Sequence, residues 1–189
     1  MSAFTQHGFT DSPASLFDVV GLDLSLTGTG VVHIDEVGIS TSLIKSKGTR
    51  RDSLAQRAHR LATLREQITD LIPERALVVV EQPAYASGTG SMHDRSGLWW
   101  LMVASLIPFH NVTEVAPGTV KKFATGKGNA GKDEMLAAAI RRYPSADITD
   151  NNVADAMHLA AMGARYLGHP QEADTVKIAE AMSVPRWTS

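Results

Sequence analysis

Four consecutive apolar residues, Leu77-Val78-Val79-Val80, leave this chain little choice of architecture. A strand alternates its side chains between two faces, so an unbroken apolar run needs apolar cover on both. Such a strand belongs in the middle of a sheet with helices above and below it. It follows Pro73-Glu74-Arg75 and ends on Glu81, so the most buried strand delivers a carboxylate at its C-terminal end.

The flanking patterns agree with that placement. Phe17 to Asp23, Val31 to Ile34 and Ile39 to Ile44 read as three short strands. The first two are joined by Leu24-Ser25-Leu26-Thr27-Gly28-Thr29-Gly30, whose glycines suit a tight turn, and the next two by a bend at Asp35, Glu36 and Gly38. Three such strands in succession imply an antiparallel meander. From Asp52 the period becomes helical, with Leu54, Ala58, Leu61, Leu64, Ile68 and Leu71 recurring until Pro73 stops them. Beyond the buried strand, Gly97 to Ile107 is predicted as a helix, Val112 to Val115 as a strand, and Lys132 to Arg142 and Asn152 to Leu167 as helices. The order βββαβαβαα is that of an α/β fold. It predicts a mixed five-stranded sheet, three antiparallel strands then two parallel, with helices on both faces.

The 189 residues, 43% of them hydrophobic, suffice for one domain with a proper core. Residues 1–15 mix Ser, Thr, Gln and Pro without period and read as a flexible arm, 16–168 as the folded domain, and 169–189 as a tail in which Val176 to Met182 can form a short helix. The chain has no cysteine, which excludes disulfides, thiolate zinc sites and cysteine nucleophiles. No signal sequence or bilayer-spanning stretch is legible, so a soluble, cytoplasmic protein is expected. A net charge of −2 announces no nucleic-acid partner, and any such footprint must come from local clusters. Lys45, Lys47, Arg50 and Arg51 form one; Lys121, Lys122, Lys127 and Lys132 form another, with Arg141 and Arg142 beyond it.

Asp23 closes the first strand, Glu81 closes the buried one, and Asp155 sits near the start of the last long helix. Taken singly, each can be a turn cap, a solvent-facing acid or a dipole partner. Taken together, they are acids at the ends of neighbouring elements, where an α/β sheet gathers its site residues. Converging carboxylates repel unless cations sit between them, and hard oxygen ligands select magnesium, or manganese in its place. The pattern is that of two-metal phosphodiester hydrolysis, which needs no side-chain nucleophile.

Val20-Gly21-Leu22-Asp23-Leu24-Ser25-Leu26-Thr27-Gly28-Thr29-Gly30 resembles the opening metal-binding segment of the RuvC family of Holliday junction resolvases, and Val78-Val79-Val80-Glu81-Gln82 resembles their second acidic strand. The run from Lys122 to Lys132, with Gly126-Lys127-Gly128, is similar to their basic loop before a helix, and Asp150-Asn151-Asn152-Val153-Ala154-Asp155-Ala156 to their last acidic helix, particularly in phage-type members. The four motifs run in order from about Phe17 to Leu167. The resemblance implies a ribonuclease H-like fold, two Mg2+ ions per site held by Asp23, Glu81 and Asp155, cleavage of four-way or other branched DNA, and a homodimer presenting two sites to one junction. It also implies that Lys132 stabilises charge beside the scissile phosphate. One departure stands out. Where the bacterial family has a metal-binding acid three residues before the last aspartate, this chain has Asn152, which can coordinate through its amide oxygen but brings no charge. Asp150 is the nearest spare carboxylate.

Lys121, Lys122, Lys127 and Lys132 are expected on DNA phosphates, and Tyr85, in the glycine-rich Pro83 to Arg95 stretch, can stack on an unpaired base. Trp99, Trp100, Leu101, Val103 and Leu106 are apolar around most of a helix, which suits a homodimer contact as well as a core. His33 and His158 read as structural. Gly126 to Lys132 spells the start of a phosphate-binding P-loop, but Asp133 replaces the Ser or Thr that would hold magnesium. Three other readings stay open: an actin-like nucleotide-binding domain, a non-catalytic DNA-binding protein, and a nuclease of the same fold acting on flaps, forks or RNA–DNA hybrids.

Overall fold

The computed structural model describes residues 17–83 and 92–188. The expected N-terminal arm and Tyr85 lie outside the described residues. The elements run β1 (Val19–Asp23), β2 (Gly28–Ile34), β3 (Ile39–Lys45), α1 (Leu54–Thr69), β4 (Leu77–Glu81), α2 (Met92–Leu106), β5 (Asn111–Val115), α3 (Pro117–Thr125), α4 (Lys132–Arg142), α5 (Asn151–Tyr166) and α6 (Val176–Met182).

One five-stranded sheet has the order β3-β2-β1-β4-β5. β1 and β3 run antiparallel to β2, whereas β4 runs parallel to β1 and β5 parallel to β4, as the pattern of the sequence required. The alternation along β4 divides the interior. Leu77 and Val79 enter a core built mainly with α3, α4, α5 and α6, and Val78 and Val80 enter a second core built with α1 and α2. All four residues are at most 4% exposed, which accounts for the unbroken apolar run.

Helix α5 lies flat against the first core face. Between Val153 and Ala164 every residue is buried except Asp155. Its close seat depends on glycines: a Cβ on Gly21 would stand 2.1 Å from the Ala156 carbonyl oxygen, and one on Gly30 would stand 2.1 Å from that of Asn152. Gly28 and Gly30 are therefore strand residues that make room for a helix. They are not the turn glycines expected from sequence, since among the described residues those with positive φ are Gly38, Arg75, Gly126 and Gly168. The β1–β2 turn is pinned instead by buried Thr29, whose hydroxyl donates to the Ser25 carbonyl (2.9 Å) and accepts from the Ser25 N–H (3.1 Å).

Two further features depart from expectation. Helix α3 takes in Lys122 to Thr125, which the resemblance implies to be loop: Pro117 at its first turn has a φ already suited to a helix, and left-handed Gly126 (φ 81°) ends it. Residues 169–188, expected as a tail with a short helix at Val176 to Met182, contain that helix but pack back on the domain: α6 buries Ile178 and Ala181 beside α3. Glu172 in the same segment accepts from the Arg165 guanidinium and the Tyr143 hydroxyl.

Candidate functional site

β1 and β4 run side by side and end together, so Asp23 and Glu81 emerge at the same edge of the sheet. The adjoining α5 presents Asp155 there. The three carboxylates, each partly exposed, line a cleft of about 340 Å³ together with Ser25, Trp99, Lys132 and Asn152. Of the acids expected to converge, all three do. Asp150 takes a different role: it is the N-cap of α5, accepting from the Val153 N–H at 3.0 Å. Asn152 does line the cleft, its side chain passing over the bare face of Gly28.

The electrostatics follow from that convergence. Burial, reinforced by the Glu81 and Asp155 charges, lifts the Asp23 carboxyl well above its usual range, while Lys132 opposes the lift. Burial and then Asp155 push Glu81 up to about 7, against Lys121. Burial pushes Asp155 up to about 6, against Lys132 and Lys121. Three carboxylates held together against burial and mutual repulsion are a candidate seat for cations, and hard oxygens of this kind suit divalent ions of the magnesium type.

The four lysines expected as one basic surface are divided. Lys132, at the first turn of α4, and Lys121, on α3, act electrostatically on the carboxylates. Lys122 pairs with Glu180 of α6 at 2.8 Å and Lys127 with Glu134 at 3.6 Å, and neither lines the cleft. The nearness of Lys121 to Glu81 was missed in the sequence because α3 itself was missed. The wall formed by Met92, Arg95, Ser96 and Trp99 went unread for a similar reason, since α2 starts five residues earlier than expected, with Asp94 in its first turn. The other basic group, Lys45, Lys47, Arg50 and Arg51, is exposed and begins where β3 ends, at the same edge of the sheet as Asp23.

Trp99 and Trp100 part company. Trp99 is 8% exposed and donates its indole N–H to the Glu81 carbonyl oxygen (2.9 Å), while Trp100 is 64% exposed. Both histidines have structural partners, His33 with Asp18 (2.8 Å) and His158 with the Met135 carbonyl (3.2 Å). Burial holds His158 down to about 4, and hence neutral at pH 7.

At the opposite end of β1, Asp18, His33 and Asp35 bring ligand atoms within 4.8 Å of one another and form a group that could hold a metal ion. Two of its members bond to each other, and the third is bonded outside the group. Asp18 pairs with His33, and the Asp35 carboxylate accepts from the N–H groups of Val37 (2.8 Å) and Gly38 (2.9 Å).

No family model matches the chain. The chain is similar to the crossover junction endodeoxyribonuclease RuvC of Rhizobium rhizogenes, 29% identical over 158 residues that cover 79% of this chain and 90% of that protein. Its fold is similar to that of Thermus thermophilus RuvC, with a TM-score of 0.55 at 20% identity over 83% of this chain and 100% of that one. A structure of T. thermophilus RuvC in complex with a Holliday junction substrate matches with a TM-score of 0.57 at 14% identity, over 83% of this chain and 99% of that one. The fold is therefore ribonuclease H-like, as the motifs implied.

Proposed function

We propose that this chain is a magnesium-dependent endonuclease that cuts branched DNA, four-way junctions foremost, with manganese able to replace magnesium. The observation that carries the reading is the convergence of Asp23, Glu81 and Asp155 in one cleft, each with its carboxyl pushed upward by burial, and Asp23 and Glu81 also by neighbouring acids. The similarity to RuvC endonucleases across most of both chains supports the choice of substrate.

Asp23, Glu81 and Asp155 would hold two ions, with the Asn152 amide oxygen as an uncharged fourth ligand. When bound, such ions lower the pKa of the attacking water and stabilise the leaving oxygen. Lys132 and Lys121 place positive charge where the phosphate gains negative charge, and so favour the transition state over the ground state. The exposed group Lys45, Lys47, Arg50 and Arg51 positions the DNA arms by phosphate contact. Lys122 and Lys127 can join them, because exposed ion pairs such as theirs are worth little and exchange readily for phosphates. Tyr85 is assigned to stacking on an unpaired base. The protein acts as a homodimer, since two sites are needed to cut opposing strands of a two-fold junction.

The test is cleavage of a labelled four-way junction beside flap, fork, RNA–DNA hybrid and linear duplex substrates, with magnesium or EDTA. Junction cutting that requires magnesium and exceeds the controls is expected. Preference for another branched substrate would move the assignment to that substrate, and no cleavage of any would remove it.

A further inference from the structure

Glu81 is held by the sheet on one side only: the Gln82 N–H that follows it donates to the Val115 carbonyl at 2.9 Å. On the β5 side it is still paired with Val115, but the ladder joining β1 to β4 ends one residue earlier, at Leu22 and Val80. The Glu81 carbonyl is taken up by the indole N–H of Trp99 at 2.9 Å. That bond adds a second restraint, on the cleft side, to a peptide plane that the Gln82–Val115 bond holds from the β5 side, and so narrows further where the carboxylate can point. A buried indole needs an acceptor, but any nearby carbonyl would satisfy it. Here the acceptor is the backbone of an acid in the cleft, and the same indole lines the cleft wall. On its other side Trp99 meets Trp100 edge to face, with ring centroids 4.8 Å apart and planes at 88°, and Trp100 is 64% exposed on the outer face of α2.

We propose that Trp99 is a positioning residue: its indole N–H fixes Glu81 for cation binding and links that acid through Trp100 to the exposed face of α2. This rests on reading the cleft as a metal site. Tryptophan is needed for its donor as well as its bulk, because phenylalanine would fill the core and leave the Glu81 carbonyl unheld.

Trp99→Phe keeps a ring and removes the N–H. Manganese binding, followed by the electron spin resonance of the free ion without DNA, should weaken about fivefold, the factor that the net contribution of one hydrogen bond implies. The magnesium concentration for half-maximal junction cleavage should rise in step, with the rate at saturating magnesium largely kept. Ile68→Val, in the same core but away from the cleft, should lower the melting temperature without moving either value. In the unaltered protein the Trp99 indole N–H resonance should exchange slowly and shift on adding magnesium. Trp100→Ala should displace that resonance and weaken manganese binding in the same direction. Should Trp99→Phe fail to fold, these last two measurements decide. Unchanged manganese affinity in Trp99→Phe, a loss matched by Ile68→Val, or an indole resonance indifferent to magnesium and to Trp100→Ala would each overturn the inference. If the unaltered protein binds manganese in this Trp99-dependent way but cuts no branched DNA, the positioning role stands and the nuclease reading falls.

Discussion

Asp155 is the one residue between Val153 and Ala164 of α5 that is not buried, and it faces two other carboxylates. The linkage between charge and folding has a definite sign here. Glu81, pushed up to about 7, and Asp155, pushed up to about 6, hold protons in the folded protein at pH values where the unfolded chain has released them. Their contribution to metal-free stability is therefore complete at low pH and is lost as pH rises through about 6 to 7. In EDTA the protein should melt at a lower temperature at pH 8 than at pH 6, and magnesium should close most of that gap. Glu81→Gln should be more stable than the unaltered protein at pH 8 in EDTA, by at most on the order of 3 kcal/mol. Thermal melts across this range are the check, and a metal-free melting temperature rising from pH 6 to pH 8 would contradict it. At this scale the sequence was a good guide to Asp23 and Glu81, because a strand pattern ending on an acid fixes where that acid lies. The part taken by Lys121 and Trp99 was hidden, since both depend on how separate elements pack.

At the scale of elements, the cleft exists because α5 sits directly on β1 and β2. Gly21→Ala puts a Cβ 2.1 Å from the Ala156 carbonyl and 2.5 Å from the Ala160 nitrogen, both backbone atoms that cannot turn aside. The helix must shift, at a cost of roughly 1–3 kcal/mol or more. Asp155 shifts with it, so manganese affinity should fall together with the urea midpoint. An unchanged midpoint would mean that α5 does not lie as close as described. Sequence periodicity found both partners of this contact, but it carried no sign that their glycines face each other. It also missed α3, because Pro117-Gly118 reads locally as a breaker, and the helix is held by burial of Val120, Phe123 and Ala124.

For the whole molecule, Trp100, Ala104 and Ile107 follow one outer stripe of α2 and the turn after it, with Trp100 64% and Ile107 61% exposed. Phe109 nearby is 74% exposed. Such a stripe suits self-association around a two-fold axis. Trp100→Arg with Ile107→Glu should give monomers by light scattering, and an unaltered protein that is monomeric at micromolar concentration would contradict the dimer. On the function proposed, Asp23, Glu81 and Asp155 form a metal site which cuts branched DNA. Asp23→Asn keeps the shape of the side chain and removes one charge, so the direct measurement is its single-turnover cleavage of a four-way junction across magnesium concentrations, with binding followed separately in calcium. The rate should fall by orders of magnitude with junction binding retained; an Asp23→Asn protein that cuts at the unaltered rate would contradict the metal site.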